Sequence, residues 1–143
     1  MVNDPVTGTL VPIDFRHISG QVPELQRFGF DLETVTFDPV IDSSDVSPDT
    51  WVRIANTILE EYDHFDGFVV LHGTDTMSYS ASALSFMLSG LEKPVIFTGA
   101  QLPIGVLRTD GKENLITAIE IAAARENGLP LVPEVCIYFE NKL

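Results

Sequence analysis

The sequence predicts an α/β protein with an open, three-layered, largely parallel sheet and helices on both of its faces. Short apolar runs without alternation, at 68–71 and 95–98, are typical of strands that are buried on both sides. Each run leads into a polar turn and then into a segment whose apolar residues have helical spacing. The 143 residues, 45% of them hydrophobic, suffice for one domain with a real core. We therefore treat residues 1–143 as a single α/β domain.

The first forty residues contain weaker patterns. Residues 1–20 have Pro and Gly at intervals, which predicts a loop or a loose hairpin. Residues 22–28 predict a short helix. Residues 33–40 alternate between apolar and polar side chains, with Val35 and Phe37 on one face, and this alternation predicts a strand.

Two helices are predicted on either side of the first buried strand. Ser47 is a good N-cap and Pro48 suits the first helical position, so one helix is expected to begin there. Its apolar side chains recur every three or four residues: Trp51, Ile54, Ala55, Ile58, Leu59 and Tyr62. The second helix follows strand 68–71, with Thr74 or Asp75 as the expected cap. Its apolar positions are Met77, Ala81, Leu84, Phe86, Met87 and Leu88.

The last third of the chain predicts one more strand–helix–strand unit. Strand 95–98 is followed by a loop and by a helix that Asp110 is expected to cap. Gly128 and Pro130 are expected to end this helix, and residues 134–139 are expected to form the last strand. The apolar positions of the helix are Leu115, Ile116, Ala118, Ile119 and Ala122.

The charge balance opposes two classes of partner. Eight basic residues face 21 acidic ones, which gives a net charge of −13. Nucleic acids and anionic membranes both require clustered positive charge, so we expect neither as a partner. No apolar run has the length of a transmembrane helix.

Metal and thiol chemistry are also not expected. Cys136 is the single cysteine and lies in an apolar run, which favours a small core residue over a nucleophile. The three histidines, His17, His64 and His72, are scattered and lack the spacing of metal ligands.

The turn after the first buried strand has the clearest chemical pattern. It contains His72, Gly73, Thr74, Asp75 and Thr76 at the position where open α/β sheets place their ligands. A hydroxyl beside a carboxylate offers a proton acceptor and a partner for a cation. The same residues also fit a simple N-cap cluster, and His72 also fits a packed, hydrogen-bonded residue. The turn by itself leaves these alternatives open.

A family resemblance favours the chemical interpretation. The run His-Gly-Thr-Asp-Thr-Met at 72–77 resembles a signature of the bacterial-type L-asparaginase family, and residues 79–88 are similar to its cytosolic, type I branch. Three further segments agree in the same order: 42–45, 93–101 and 108–115. The resemblance implies the family's N-terminal domain, which has a Rossmann- or flavodoxin-like fold.

Some parts of the family pattern are not in the sequence. The family's first strand ends in Thr-Gly-Gly-Thr-Ile-Gly, whose first threonine is the nucleophile, and the sequence lacks this motif. We expect an N-terminal domain without its first strand, its nucleophile, the lysine beyond residue 143 and the C-terminal domain. Such a chain should be inactive alone, and it should associate through open sheet edges. The family's flap commonly has a tyrosine, where this chain has Thr9 and Leu10.

The resemblance also implies roles for five residues. A threonine attacks the side-chain amide of asparagine, ammonia leaves, and water hydrolyses the β-aspartyl ester. Thr74 would be the second catalytic threonine. Asp75 would pair with the lysine and bind the substrate's ammonium group. Ser43 would bind the α-carboxylate with Ser44 beside it, and the backbone of Ala100 would contact the side-chain amide.

The resemblance further implies a cytoplasmic enzyme without a cofactor, acting on L-asparagine and possibly L-glutamine, whose full-length form is a homodimer or homotetramer. Two alternatives remain: an asparaginase-like subunit of glutamyl-tRNA amidotransferase, and a non-catalytic amino-acid-binding domain. The acidic balance argues against the first. Residues 42–45 also fit an extended cap, and Asp110 fits a structural cap.

Overall fold

A three-stranded parallel sheet forms the centre of the computed structural model, which describes residues 2–3, 10–11, 22–102 and 108–143. Strands β3 (Phe68–Leu71), β4 (Val95–Thr98) and β7 (Val135–Ile137) lie in the order β3-β4-β7. Phe68 pairs with Val95, which in turn pairs with Val135. All four residues of β4 are fully buried, as the lack of alternation predicts. The predicted parallel sheet is confirmed, although β7 is shorter than the expected 134–139.

Helices cover both faces of this sheet. Helices α1 (Pro48–Glu60) and α2 (Met77–Met87) share a core with Val95 and Phe97. Helix α3 (Gly111–Ala123) packs on the other face, where Ile96 contacts its alanines. The alternate residues of one central strand therefore supply two separate cores, and the predicted three-layered α/β architecture is confirmed.

Two small hairpins lie outside the sheet. Strands β1 (Val2–Asn3) and β2 (Leu10–Val11) pair antiparallel, whereas the rest of the region 1–21 with Thr9 lies outside the described residues. Strands β5 (Arg125–Glu126) and β6 (Leu129–Pro130) pair around a turn. At this turn Asn127 and Gly128 have φ values of 52° and 85°. The prediction that Gly128 ends helix α3 is therefore wrong, because the helix already ends at Ala123 and the glycine serves the hairpin turn.

The segment between residues 28 and 42 contains no strand, so the strand predicted at 33–40 is wrong. No described strand lies beside it, and most of its side chains are exposed. Only Phe37 packs against the core, with the Arg53 guanidinium 4.1 Å from its ring centroid. The predicted helix before it is a 3₁₀ helix, Pro23–Arg27, whose neighbour Val22 packs against α3.

The predicted buried faces of two helices are partly wrong. Ser47 and Thr50 form a capping box at the start of α1, as expected, but Leu59 is 57% exposed. In α2, Leu84 is fully buried whereas Phe86 is 84% exposed. Met87 is also exposed, because α2 contacts the sheet and α1 along one side only. Within the described residues, no helix is both long and apolar enough to cross a membrane.

Cys136 lies in β7 and is partly buried. Burial, together with the nearby negative charge of Glu134, raises the pKa of its thiol. The reactive thiolate is consequently scarce at neutral pH, in agreement with the prediction of a small core residue.

Candidate functional site

The predicted site lies where β3 and β4 end. Leu71 pairs with Thr98, so the turn that contains Thr74 and the turn that begins at Gly99 leave the sheet side by side. This is the edge of a parallel sheet where α/β proteins bind their ligands. Glycine is required at Gly99, because a Cβ there would lie 2.3 Å from the carbonyl oxygen of His72.

Ser43 and Asp75 are in direct contact although 32 residues separate them. The Ser43 hydroxyl donates to Asp75 Oδ2 at 2.9 Å, and the Thr76 hydroxyl donates to the Ser43 carbonyl at 2.6 Å. A Cβ on Gly73 would lie 2.4 Å from Ser43 Oγ, so this approach requires a glycine. Ser43 is buried, and its hydroxyl is directed to the carboxylate that the sequence singles out.

Ser44 points to a different carboxylate. Its backbone N–H and its hydroxyl both donate to Asp42 Oδ1 at 2.9 Å. Asp42 thus caps the 3₁₀ helix Ser43–Asp45. These bonds, with the backbone donor as the larger cause, lower the pKa of the Asp42 carboxyl. The side chain of Ser43 therefore hydrogen-bonds to Asp75, whereas the side chain of Ser44 hydrogen-bonds to Asp42.

Thr74 contacts the turn that begins at Gly99 through the side chain of Gln101, which was not among the predicted site residues. Gln101 Nε2 donates to Thr74 Oγ1 at 3.2 Å. Ala100 is partly buried and lies between Gly99 and Gln101, the two residues of this turn that approach Thr74. The five candidate residues are thus on three segments that converge at the ends of β3 and β4.

The cap predicted for α2 at Thr74 or Asp75 is wrong, and the cap predicted at Asp110 is right in position although its side chain makes no cap bond. Residue Thr76, rather than Thr74 or Asp75, is at the N-cap position of α2, and its hydroxyl goes to Ser43 instead. Asp110 is at the N-cap position of α3, but its carboxylate accepts the backbone N–H groups of the preceding loop. At both helix starts, the side chain of the N-cap residue hydrogen-bonds to a residue outside the helix instead of to the free N–H groups of the helix.

Asn114 is a second residue of the site that the motifs did not single out. It is 4% exposed, and its Nδ2 donates to the Gly99 carbonyl at 2.9 Å. The sequence did contain a signal for this role: Asn114 is a polar residue next to the apolar positions of a predicted helix, and a buried amide requires hydrogen-bond partners. For Gln101 the signal was its place directly after a buried strand and turn.

His72 is a hydrogen-bonded structural residue. Its Nδ1 donates to the Gly73 carbonyl at 2.7 Å, since a carbonyl can only accept. Its Nε2 lies 2.9 Å from Ser80 Oγ, which also accepts the Trp51 indole N–H at 3.0 Å. The Ser80 proton is then free for Nε2, so every partner in this chain of bonds is satisfied. The packed interpretation of His72 is confirmed, and the bonds tie α1 and α2 to the site turn.

The arrangement suits a small zwitterion more than a metal ion. In the part of the chain that the structure describes, Asp75 has no ion pair, and no group of three His, Cys, Asp or Glu residues could hold a metal. A carboxylate that keeps one open oxygen can accept an ammonium group. The hydroxyls of Ser43 and Thr74 and the backbone at Ala100 can bind oxygens or an amide.

Comparisons of the sequence identify an asparaginase domain. The family model described as asparaginase, N-terminal, matches residues 1–143. L-asparaginase 1 of Escherichia coli K12 is 52% identical over 123 residues, which cover 85% of this chain and 35% of that protein. A glutamyl-tRNA(Gln) amidotransferase subunit from Thermoplasma acidophilum is 38% identical over 122 residues, covering 83% of this chain and 29% of that protein. The chain spans about a third of the length of these relatives.

Solved structures give the same fold. L-asparaginase I from Vibrio cholerae superposes with a TM-score of 0.79 at 45% identity, over 92% of this chain and 39% of the other. A probable cytoplasmic L-asparaginase from Campylobacter jejuni has a TM-score of 0.75 at 29% identity, over 88% of this chain and 38% of the other.

The Asp42 cap predicts a pH dependence in the loop that holds Ser43. Because the pKa of folded Asp42 is depressed, both Ser44 bonds are intact above the ordinary aspartate pKa and are lost as the pH falls through the lowered value. Ser44→Ala removes the hydroxyl donor but keeps the backbone donor, so the midpoint should rise part of the way to its ordinary value. Carboxyl ¹³C NMR of Asp42 measures both midpoints. An unchanged midpoint in Ser44→Ala would show that the hydroxyl bond is absent in solution.

Proposed function

The chain belongs to the asparaginase N-terminal family, and on that premise we propose that it serves the hydrolysis of L-asparagine to L-aspartate and ammonia. The observation that best supports this is the Ser43–Asp75 bond beside Thr74, at the carboxyl end of β3. Ser43 and Asp75 are thus bonded next to Thr74, which precedes Asp75 in the same turn. The 52% identity to an E. coli protein named L-asparaginase 1 supports the same activity.

In this proposal the α-groups of the substrate replace the internal Ser43–Asp75 bond. Asp75 binds the ammonium group, because a carboxylate with an open oxygen is its natural partner. Ser43 has one hydroxyl proton, which donates to Asp75 in the free protein. When substrate binds, that proton turns to the α-carboxylate, and Ser44 adds a second hydroxyl nearby. The bound and free states thus differ by an exchange of hydrogen-bond partners.

The reaction is proposed to follow the family's two stages. A threonine hydroxyl attacks the side-chain amide carbon, and the amide nitrogen leaves as ammonia after it gains a proton. Water then hydrolyses the ester, which releases aspartate and restores the hydroxyl. Thr74 positions the water or the substrate carbonyl, and the Ala100 backbone contacts the side-chain amide. This sequence has no Thr-Gly-Gly-Thr-Ile-Gly motif, so we propose that the chain by itself does not turn over asparagine.

The setting is proposed to be the cytoplasm, without a cofactor. The name of the Campylobacter neighbour, a probable cytoplasmic L-asparaginase, supports this location. An amidotransferase subunit is the second candidate, supported by the Thermoplasma relative at 38% identity. The higher identity to the E. coli protein and the net charge of −13, which opposes RNA binding, favour the asparaginase.

A chimera tests the proposed function. In it, the residues of this chain replace the matching part of E. coli L-asparaginase 1, and the relative supplies the remainder. We predict that the chimera releases ammonia from L-asparagine, with L-glutamine assayed in parallel. Thr74→Val in the chimera should lower kcat by about 10²- to 10⁴-fold, because it removes a group that acts on the reacting atoms.

The matched control is Thr57→Val, the same chemical change on α1, where the hydroxyl donates to the Arg53 carbonyl of its own helix. This variant should keep the activity of the chimera. A folded chimera without asparaginase activity would contradict the proposed function. Equal activity of the Thr74 and Thr57 variants would contradict the role of Thr74.

We further propose that the protein forms a homodimer or homotetramer and that the outer face of α2 takes part. Helix α2 contains no charged residue, yet it leaves Tyr79 68% and Phe86 84% exposed. Two copies with a net charge of −13 repel one another, and they repel least where an uncharged face meets an uncharged face.

Sedimentation of two charge variants tests this interface. Phe86→Glu places a charge on the exposed face of α2 that is proposed to form the contact, and should shift the protein toward monomer. Val52→Glu places the same charge on an exposed position of α1 and should leave the assembly unchanged. If the two variants sediment alike, the α2 face does not form the contact, and the open edges of β3 and β7 become the alternative.

A further inference from the structure

Gln101 donates a hydrogen bond to the Thr74 hydroxyl. We propose that Gln101 is a positioning residue for Thr74 and that Asp110 holds Gln101 in place. The inference deepens the proposed function, on which it rests for its catalytic meaning, but the contacts themselves are testable without substrate.

The contact between the two side chains determines what Thr74 offers to a ligand. Gln101 Nε2 donates to Thr74 Oγ1 at 3.2 Å, so the threonine oxygen is the acceptor in this bond. A hydroxyl has one proton to donate and two lone pairs. Among the described residues, Gln101 is the only hydrogen-bond partner of this hydroxyl, so its proton and its other lone pair are available there to a substrate carbonyl or to water. The contact also selects one χ1 rotamer of Thr74.

The backbone of Gln101 is bound on its other side by a carboxylate. Asp110 Oδ2 accepts the Gln101 N–H at 2.8 Å, and Asp110 Oδ1 accepts the Leu102 N–H at 2.9 Å. Bonds to an ionised acceptor are stronger than neutral ones. Asn114 Nδ2 donates to the Gly99 carbonyl at 2.9 Å and lies 3.4 Å from Asp110 Oδ2. The segment from Gly99 to Leu102 is thus fixed to the start of α3.

An N-cap role does not account for Asp110. An aspartate at this position ordinarily bonds the free N–H groups of its own helix, yet Asp110 makes no such bond. Both of its oxygens are used by the loop that presents Gln101. The first N–H of α3, that of Gly111, is accepted by the Thr109 hydroxyl instead, and the Asp110 carboxylate makes two bonds to the site loop.

Thr74 χ1 in the free protein is the first measurement. In the isotope-labelled chain, three-bond couplings to the Thr74 methyl group should report a single rotamer. Gln101→Met keeps the length of the side chain but has no donor, so it should give averaged couplings. Asp110→Asn keeps a good N-cap residue but loses the charge and one acceptor. It should speed amide exchange at Gln101 and Leu102 and also average the couplings.

Thr109→Val is the control for loop perturbation. The Thr109 hydroxyl donates to the Leu102 carbonyl and accepts the Gly111 N–H. In the described part of the chain it makes no hydrogen bond to Gln101 or Thr74, so its loss should leave the Thr74 couplings unchanged. A single Thr74 rotamer in Gln101→Met would overturn the proposal. An equal effect of Thr109→Val would overturn it as well, because the loop as a whole would then be responsible.

Kinetics of the chimera give the catalytic readout. Gln101→Met should lower kcat by about 3- to 10-fold, the size expected for one hydrogen bond, with a smaller change in KM. Gln101→Glu should lower kcat further, because a carboxylate accepts a hydrogen bond from the Thr74 hydroxyl and so turns its proton away from the substrate. A larger activity in Gln101→Glu than in Gln101→Met would overturn the proposal. An inactive parent chimera would defeat the proposed function alone, since the rotamer measurement still decides the positioning role.

Discussion

The site depends on the close approach of Ser43 to Gly73. No side chain fits between them, because a Cβ at residue 73 would lie 2.6 Å from the Cβ of Ser43. This proximity lets the Ser43 hydroxyl reach Asp75 and the Thr76 hydroxyl reach the Ser43 carbonyl. A loop without regular structure is thereby bound to the end of the central sheet. The glycine is therefore the condition for bringing these two segments together.

Local hydrogen bonding, rather than net charge, fits the site to a zwitterion. The chain has a net charge of −13, which by itself would repel an amino acid's carboxylate. At the site, however, the Asp42 carboxylate accepts two hydrogen bonds from Ser44, and the Asp110 carboxylate accepts the backbone N–H of Gln101. Asp75, in contrast, is exposed and accepts the Ser43 hydroxyl, beside Thr74 in the same turn. One carboxylate for an ammonium group and hydroxyl donors for a carboxylate match the two ends of an α-amino acid.

Local sequence patterns correctly predicted the strands and helices whose formation depends on burial of their apolar residues. They failed for segments and side chains whose structure depends on a partner elsewhere in the chain. Strand β4 was evident from its unbroken apolar run, and the α1 cap was evident from Ser47 and Pro48. The alternation at 33–40 did not form a strand, since pairing needs a neighbour that no local pattern reveals. The carboxylate of Asp110 is taken by Gln101, nine residues earlier in the chain. The five candidate residues were assigned from the family resemblance. Gln101 and Asn114 lie within the matching segments 93–101 and 108–115, but their place in the site became evident from their contacts with Thr74 and Gly99.

An NMR titration of the labelled chain with L-aspartate tests the central claim most directly, namely that the three converging segments form one amino-acid site. We predict that the amide signals of Ser43, Asp75 and Ala100 shift together along one curve. The binding should be weak, with a Kd of about 1 mM or more. Succinate, which lacks the ammonium group, should shift them less. Separate curves for the three segments, or shifts confined to a distant surface, would contradict the claim of a single site.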